Sequence, residues 1–277
     1  MLNVSSYALQ YGNVNAAAVA ARQLGLFITE GGPLGGTAAL SDAEVAALVA
    51  AGTRVVGYVD SCVTDSGRPY WNPAWTSDGT DMGMPTAAAP AWLAGGVGID
   101  FTGDGASDGY VTDFTDAGWR AIVVAQAVDL VARGYSGVFL DDITQYFHRG
   151  LVTGNIQQLA TSMLELVVEV DTAIRAVNPD AVIVTNGSPF VIFDAVGGGT
   201  SAASQAFLGV VDAMLLESYF GVAANYEGGF IDVAVANIAP HAQLLALEFG
   251  GDASQNHHFL ANAAARGIVG FAAPTAA

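Results

Sequence analysis

The chain has 277 residues, 52% of them hydrophobic and only 12% charged, which is too apolar for disorder and long enough to bury a sizeable core. Its net charge of −18 sets 26 acidic residues against eight basic ones, all Arg, so phosphate backbones are repelled. Without a Lys amine, a Walker A loop, a Schiff-base aldolase and a pyridoxal-phosphate anchor are all excluded.

Short apolar or β-branched runs alternate with longer amphipathic stretches about eight times, the pattern of βα units around a parallel sheet. Strands are expected at 6–10, 26–29 and 54–59. Between the second and third, Ser41 followed by Glu44 forms a capping-box pattern opening a helix, and Gly52 stands where a C′ glycine belongs. The segment 61–113, rich in Gly, Pro, Asp and Trp, then reads as an irregular insertion. Trp119, Val123, Ala127 and Leu130 form the apolar stripe of a helix over 116–133, leading through Gly134 to a strand at 137–140. From Ile156 to Val177 apolar residues recur every three or four positions, and Asn178-Pro179 ends that helix. The remaining strands fall at 181–185, 213–216, 244–247 and 267–271. Eight βα units with no break in composition predict a single (β/α)8 TIM barrel over 1–277, a fold of typically about 250 residues.

In such a barrel the active site forms at the C-terminal ends of the strands. Polar or acidic residues directly follow five of the apolar runs: Asp60, Asp141 with Asp142, Asn186, Glu217 and Glu248. A carboxylate cluster there suits glycosidic bond cleavage, which needs one protonated carboxyl and one ionised carboxylate, and like charges crowded together keep one of them protonated. The insertion after the third strand would wall that cleft, with the flat rings of Trp71 and Trp75 either stacking on sugars or forming the loop's own small core.

These residues carry a resemblance. Gly134-Tyr-Ser-Gly-Val-Phe-Leu-Asp-Asp142, preceded by Tyr110-Val-Thr-Asp-Phe114 and Trp119, resembles the pattern of glycoside hydrolase family 114, the endo-α-1,4-polygalactosaminidases and their relatives. Tyr7-Ala-Leu-Gln10, Val56-Gly-Tyr-Val59, Thr185-Asn-Gly187 and Leu216-Glu-Ser-Tyr219 follow in the same order, so the likeness spans nearly the whole chain. The resemblance implies a barrel hydrolase acting on α-1,4-linked galactosamine-containing polysaccharide, with Asp141 as nucleophile and Glu217 as acid/base. Around that pair, the strand ends and the insertion are expected to supply a substrate cleft lined by Tyr7, Gln10, Asp60, Trp71, Trp75, Asp142, Asn186, Tyr219 and Glu248. The sequence departs from the family where Tyr58-Val-Asp-Ser61 replaces a Gly-Glu-rich turn and a long loop follows, a departure that bears on the substrate more than on the reaction. A polymer that is cationic when deacetylated would be drawn to an acidic protein. The substrate class also implies a secreted protein, although no basic segment followed by an apolar one opens residues 1–11. A monomer is expected, with no nucleic acid and no membrane as partner, since no apolar run approaches the roughly 18–20 residues of a span.

Weaker signals lead elsewhere. Asp100, Asp104 and Asp108 with Gly105 partly match a calcium loop, but Val111 stands where the bidentate Glu belongs; no cofactor is otherwise expected. Cys62 is alone, and adjacent His257 and His258 lack the spacing of zinc ligands. Two rivals to the hydrolase remain open at the level of sequence: a glycan-binding barrel without turnover, and a metal-assisted hydrolase using Asp60, Asp141 and Glu248.

Overall fold

A computed structural model describes residues 2–32, 39–99, 109–221 and 227–273. The Asp-rich stretch 100–108, with Asp100, Asp104 and Asp108, lies outside the described residues. Eight parallel strands form one sheet: β1 (Tyr7–Leu9), β2 (Leu26–Thr29), β3 (Arg54–Asp60), β4 (Gly137–Asp141), β5 (Val182–Asn186), β6 (Ala213–Glu217), β7 (Gln243–Phe249) and β8 (Val269–Ala273), hydrogen-bonded in that order. β8 returns to β1, where the rings of Tyr7 and Phe271 meet edge to face at 5.7 Å, so the sheet is a nearly closed barrel with helices between its strands. This is the TIM-barrel fold that the sequence predicts.

Strand alternation divides the core in two. Leu9, Leu26, Ile28, Val56, Phe139, Val184, Leu215 and Leu245 fill the barrel interior, while their neighbours Ala8, Phe27, Val55, Val138, Leu140, Ile183 and Leu216 face the helical layer. The helix Ile156–Val177 turns Leu159, Met163, Val167, Val170 and Ile174 inward, the predicted stripe. The capping box of Ser41 and Glu44 forms at the start of the helix Asp42–Ala50. The last strand begins two residues later than expected, because Gly267, at φ +73°, still belongs to the turn closing the preceding helix.

At the N-terminal end of the barrel, Arg175 binds both Asp171 (2.5 Å) and Asp212 (3.0 Å), and Asp212 accepts the backbone N–H of Ile183. That network belongs to the stability face of the fold rather than the reactive one. Gly137, which opens the strand carrying Asp141, has no room for a side chain: a Cβ there would lie 2.0 Å from the carbonyl oxygen of Val182. Gly137→Ala is expected to cost roughly 3–5 kcal/mol, because backbone must move apart in the middle of the sheet. Urea unfolding of the variant checks this, and a midpoint unchanged from wild type would contradict it.

The insertion after β3 is rooted against β4. Ser61 donates through both its backbone N–H (3.2 Å) and its hydroxyl to the carbonyl oxygen of Asp141, and the indole N–H of Trp119 donates to the Ser61 carbonyl at 2.8 Å. Farther out, Arg68 makes a two-pronged bond to the buried Glu30 at 2.8 and 2.9 Å and lies 5.1 Å over the Tyr58 ring. The loop is thereby tied to β2, β3 and β4 at the rim of the barrel.

Candidate active site

Asp60, Asp141, Asn186 and Glu217 each end a strand, and each falls on the inward set of its alternation, continuing Val56, Phe139, Val184 and Leu215 by steps of two. Asp60 and Asp141 are register partners on adjacent strands. The Asn186 amide donates one N–H to Asp141 Oδ1 at 2.8 Å and the other to Glu217 Oε2 at 2.7 Å. Both oxygens are bonded to one nitrogen, so they lie no farther apart than the two lengths together, 5.5 Å. A cavity of about 260 Å³ opens on this pair, bounded also by Asp142, Gln145, Ser218 and Tyr219. A larger hollow of about 430 Å³ lies between Tyr58, Arg68, Tyr70 and Leu130, and none of Asp60, Asp141, Asp142 and Glu217 lines it.

The residue after each acid of the pair has left-handed backbone: φ is 60° at Asp142 and 62° at Ser218. Non-glycine residues adopt this region at a cost of about 1–2 kcal/mol each, and such strain concentrates at functional sites. Here it turns the chain sharply once the acid is placed. The Asp142 N–H swings back to donate to Asp141 Oδ1 at 2.8 Å, and the Ser218 N–H donates to the Leu247 carbonyl at 2.9 Å.

Crowding sets the electrostatics. Burial raises the Asp141 carboxyl above its ordinary value, opposed by the Asp142 N–H, the Asn186 amide and the Tyr58 hydroxyl. Partial burial and the charge of Asp141 raise Glu217 in turn. Asp60 is pushed up to about 7 by burial and by Asp141, although the N–H groups of Val63 and Cys62 favour its ionised form. Asp142 is driven well above its usual value by burial and by both neighbouring aspartates, and it shares a hydrogen bond with Asp60 that requires a proton between them.

A stability consequence follows from the sign of the Asp60 shift. Its value in the fold lies above the ordinary 3.8, so its contribution is complete below about pH 4 and is lost as pH rises through 7. In Asp60→Asn the amide oxygen can keep the Cys62 and Val63 donors, while the NH₂ donates to Asp142 without a charge. The variant is expected to melt on the order of 5 °C above wild type at pH 8, with the gap closing by pH 4. Thermal melts at the two pH values check this; an equal difference at both would contradict it.

The other residues expected at the cleft are placed as follows. Tyr219 borders the cavity and Asp142 sits beside Asp60 and Asp141. Tyr7 is buried within the barrel, its hydroxyl bonded to the Ala246 carbonyl, and cannot touch a ligand as placed. Gln10 falls on the outward set and caps the carbonyls of Gly12 and Asn13. Glu248 also points outward: it is fully buried and accepts the Phe220 N–H at 2.6 Å. Asp60, Asp141 and Glu248 are therefore not assembled as a ligand set, and among the described residues no group of three or more His, Cys, Asp or Glu is arranged to hold a metal ion. Trp71 and Trp75 pack edge to face on each other at 5.6 Å, and Trp75 on Trp92 at 5.4 Å, with Trp92 resting on Trp119. They form the insertion's own core. Sequence reading overlooked Tyr11 and Tyr58, whose rings meet at 5.0 Å beside the acids, although Tyr11 continues the inward series Tyr7, Leu9.

No protein-family model matches the chain. An uncharacterised protein of Deinococcus radiodurans is 28% identical over 152 residues, 55% of this chain and 42% of the relative, so the match spans under half the relative's length. Among solved structures, the glycoside hydrolase domain of PelA from Pseudomonas aeruginosa aligns over 98% of this chain and 95% of its own, with TM-score 0.64 and 18% identity. Ega3 of Aspergillus fumigatus, in complex with galactosamine, aligns over 99% and 93%, with TM-score 0.62 and 13% identity. An α-galactosidase from Thermus thermophilus aligns over 98% of this chain and 58% of its own, with TM-score 0.54 and 12% identity. At these identities the likeness establishes a shared fold.

Proposed function

We propose that this chain is a retaining glycoside hydrolase of galactosamine-containing polysaccharide, with Asp141 as nucleophile and Glu217 as acid/base. The observation that carries the reading is the single Asn186 amide bonded to both carboxylates, which limits their bonded oxygens to 5.5 Å. Retaining enzymes hold their two carboxyls about 5–5.5 Å apart, whereas inverting ones leave about 6.5–9.5 Å for a water molecule.

The electrostatics support the division of roles. Asp141, ionised and held by three donors, is aimed for attack on an anomeric carbon, and its charge keeps the Glu217 proton available for the departing oxygen. Once Asp141 is glycosylated its charge is gone, the Glu217 carboxyl becomes more acidic, and the same residue can take a proton from the incoming water. Both proton transfer and nucleophile come from the chain, so the reading requires no cofactor, and activity is expected to survive exhaustive chelation. The shared fold with PelA and with Ega3, whose structure contains galactosamine, supports an amino-sugar polymer, as does a net charge of −18 facing a cationic chain. Hydrolysis of such a polymer would take place outside the cell.

The test is release of reducing ends from α-1,4-linked galactosamine polymer by wild type and by Asp141→Asn, with the first-formed anomer followed by NMR. Release by wild type alone, with the α anomer first, is expected. Equal release by both proteins would remove Asp141 from the reaction, and tight binding without release would favour a glycan-binding barrel.

A further inference from the structure

A row of aromatic rings leads away from the acid pair. Tyr219, two residues beyond Glu217, borders the cavity and stacks on Phe230 with ring centroids 5.5 Å apart and planes 23° apart. Phe230 meets Phe190 at 4.8 Å, and Phe190 lies 6.4 Å from Phe193. The four rings come from three separate segments: the exit of β6, the helix Gly228–Asn237, and the turn after β5 with its short helix Val191–Asp194. Their assembly is a tertiary feature rather than a local repeat.

Two facts separate this row from an ordinary core. The insertion's cluster buries its central rings almost completely, with Trp92 at 4% and Trp119 at 0% exposure, whereas here Phe230 is 37% and Phe193 41% exposed. Connected apolar rings left in water, joined to a polar cavity through Tyr219, suit a ligand-binding surface. The row is also braced. Ser188 shares a hydrogen bond with Tyr219, and the Phe193 ring lies over Gly199, where a Cβ would stand 3.2 Å from its Cε1 atom.

We propose that Tyr219, Phe230, Phe190 and Phe193 form a track of sugar subsites along which the polysaccharide extends beyond the cleavage point. This rests on the polysaccharide-hydrolase reading of the adjoining acids. Sugar rings present flat C–H faces that pack on aromatic rings, and Phe, which has no polar handle, holds such a face without demanding a particular hydroxyl or amine. The track therefore recognises chain length rather than substituent pattern.

The test uses the full chain and Phe193→Ala, the outermost change, with Phe193→Trp as the conservative counterpart. Migration through gels containing α-1,4-galactosamine polymer reads binding independently of turnover. Reducing-end release from the polymer, against cleavage of a single-sugar aryl galactosaminide, reads chain-length dependence. Phe193→Ala is expected to weaken polymer binding and raise the polymer KM by about tenfold, with kcat and aryl-glycoside cleavage unchanged and Phe193→Trp near wild type. Equal losses on polymer and aryl glycoside, or identical migration of wild type and Phe193→Ala, would overturn the track. Wild-type retardation without any release, lost in Phe193→Ala, would sustain the track while refuting the hydrolase reading.

Discussion

Asp141→Asn is expected to lower turnover by on the order of 10⁴-fold or more while leaving the fold intact, since an amide of the same shape cannot form the glycosyl bond. The companion change, Glu217→Gln, separates the roles. An acid is needed most when the departing oxygen is a poor leaving group, so Glu217→Gln should lose roughly 10²–10⁴-fold on polymer and far less on a dinitrophenyl glycoside. Asp141→Asn should be equally inactive on both. Rate measurements on the two substrates decide this, and the opposite pattern would exchange the residues' roles. The pair is also linked in pH. With the proposed roles, Asp141 must be ionised and Glu217 protonated, so activity should fall as pH drops through the raised Asp141 value and as pH climbs through the raised Glu217 value. Removing the Asp141 charge should bring the Glu217 titration, followed by NMR, back toward acid.

Asn186→Ala is the second large effect expected. It deletes the donor that holds both carboxylates in one geometry and lowers the pKa of each. Turnover should fall on the order of 10²-fold or more, as for other preorganised donors at a reacting centre, and the acidic limb of the pH profile should move to higher pH. A purely structural role would lower stability without moving that limb. A profile of unchanged shape would therefore assign Asn186 to packing alone.

Much of the barrel was legible because periodicity in the sequence reports burial directly. The strand positions and the stripe of Ile156–Val177 follow from it, as do the acids that close the runs at Asp60, Asp141 and Glu217. Counting by twos also explains where reading only the ends of apolar runs goes astray. Leu245, Leu247 and Phe249 share one face of β7, so Glu248 must take the other; Gln10 is displaced by the same rule, and Tyr11 recovered by it. Other features had no local signal. Left-handed backbone at Ser218 is imposed by what surrounds the strand end, and at Asp142 the residue type tolerates that region without requiring it. Whether Trp71 and Trp75 face a sugar or each other depends on Trp92, from the far part of the insertion, and on Trp119, from the helix Ala117–Ala132.

The rooting of the insertion has a consequence for how this surface can diversify. Thr64 N–H bonds to the Tyr110 carbonyl at 3.1 Å, Thr112 N–H to that of Cys62 at 2.8 Å, and Val63 bridges Val111, so the two arms run together as a closed stem before the loop departs. Beyond that stem the segment is held again where Arg68 binds Glu30 and lies over Tyr58, so changes that keep the stem and this anchor bring little tension to β3 or β4. A lineage built on this scaffold can thus reshape the rim of the cleft by rewriting one hanging segment while the strand ends beneath it are inherited whole.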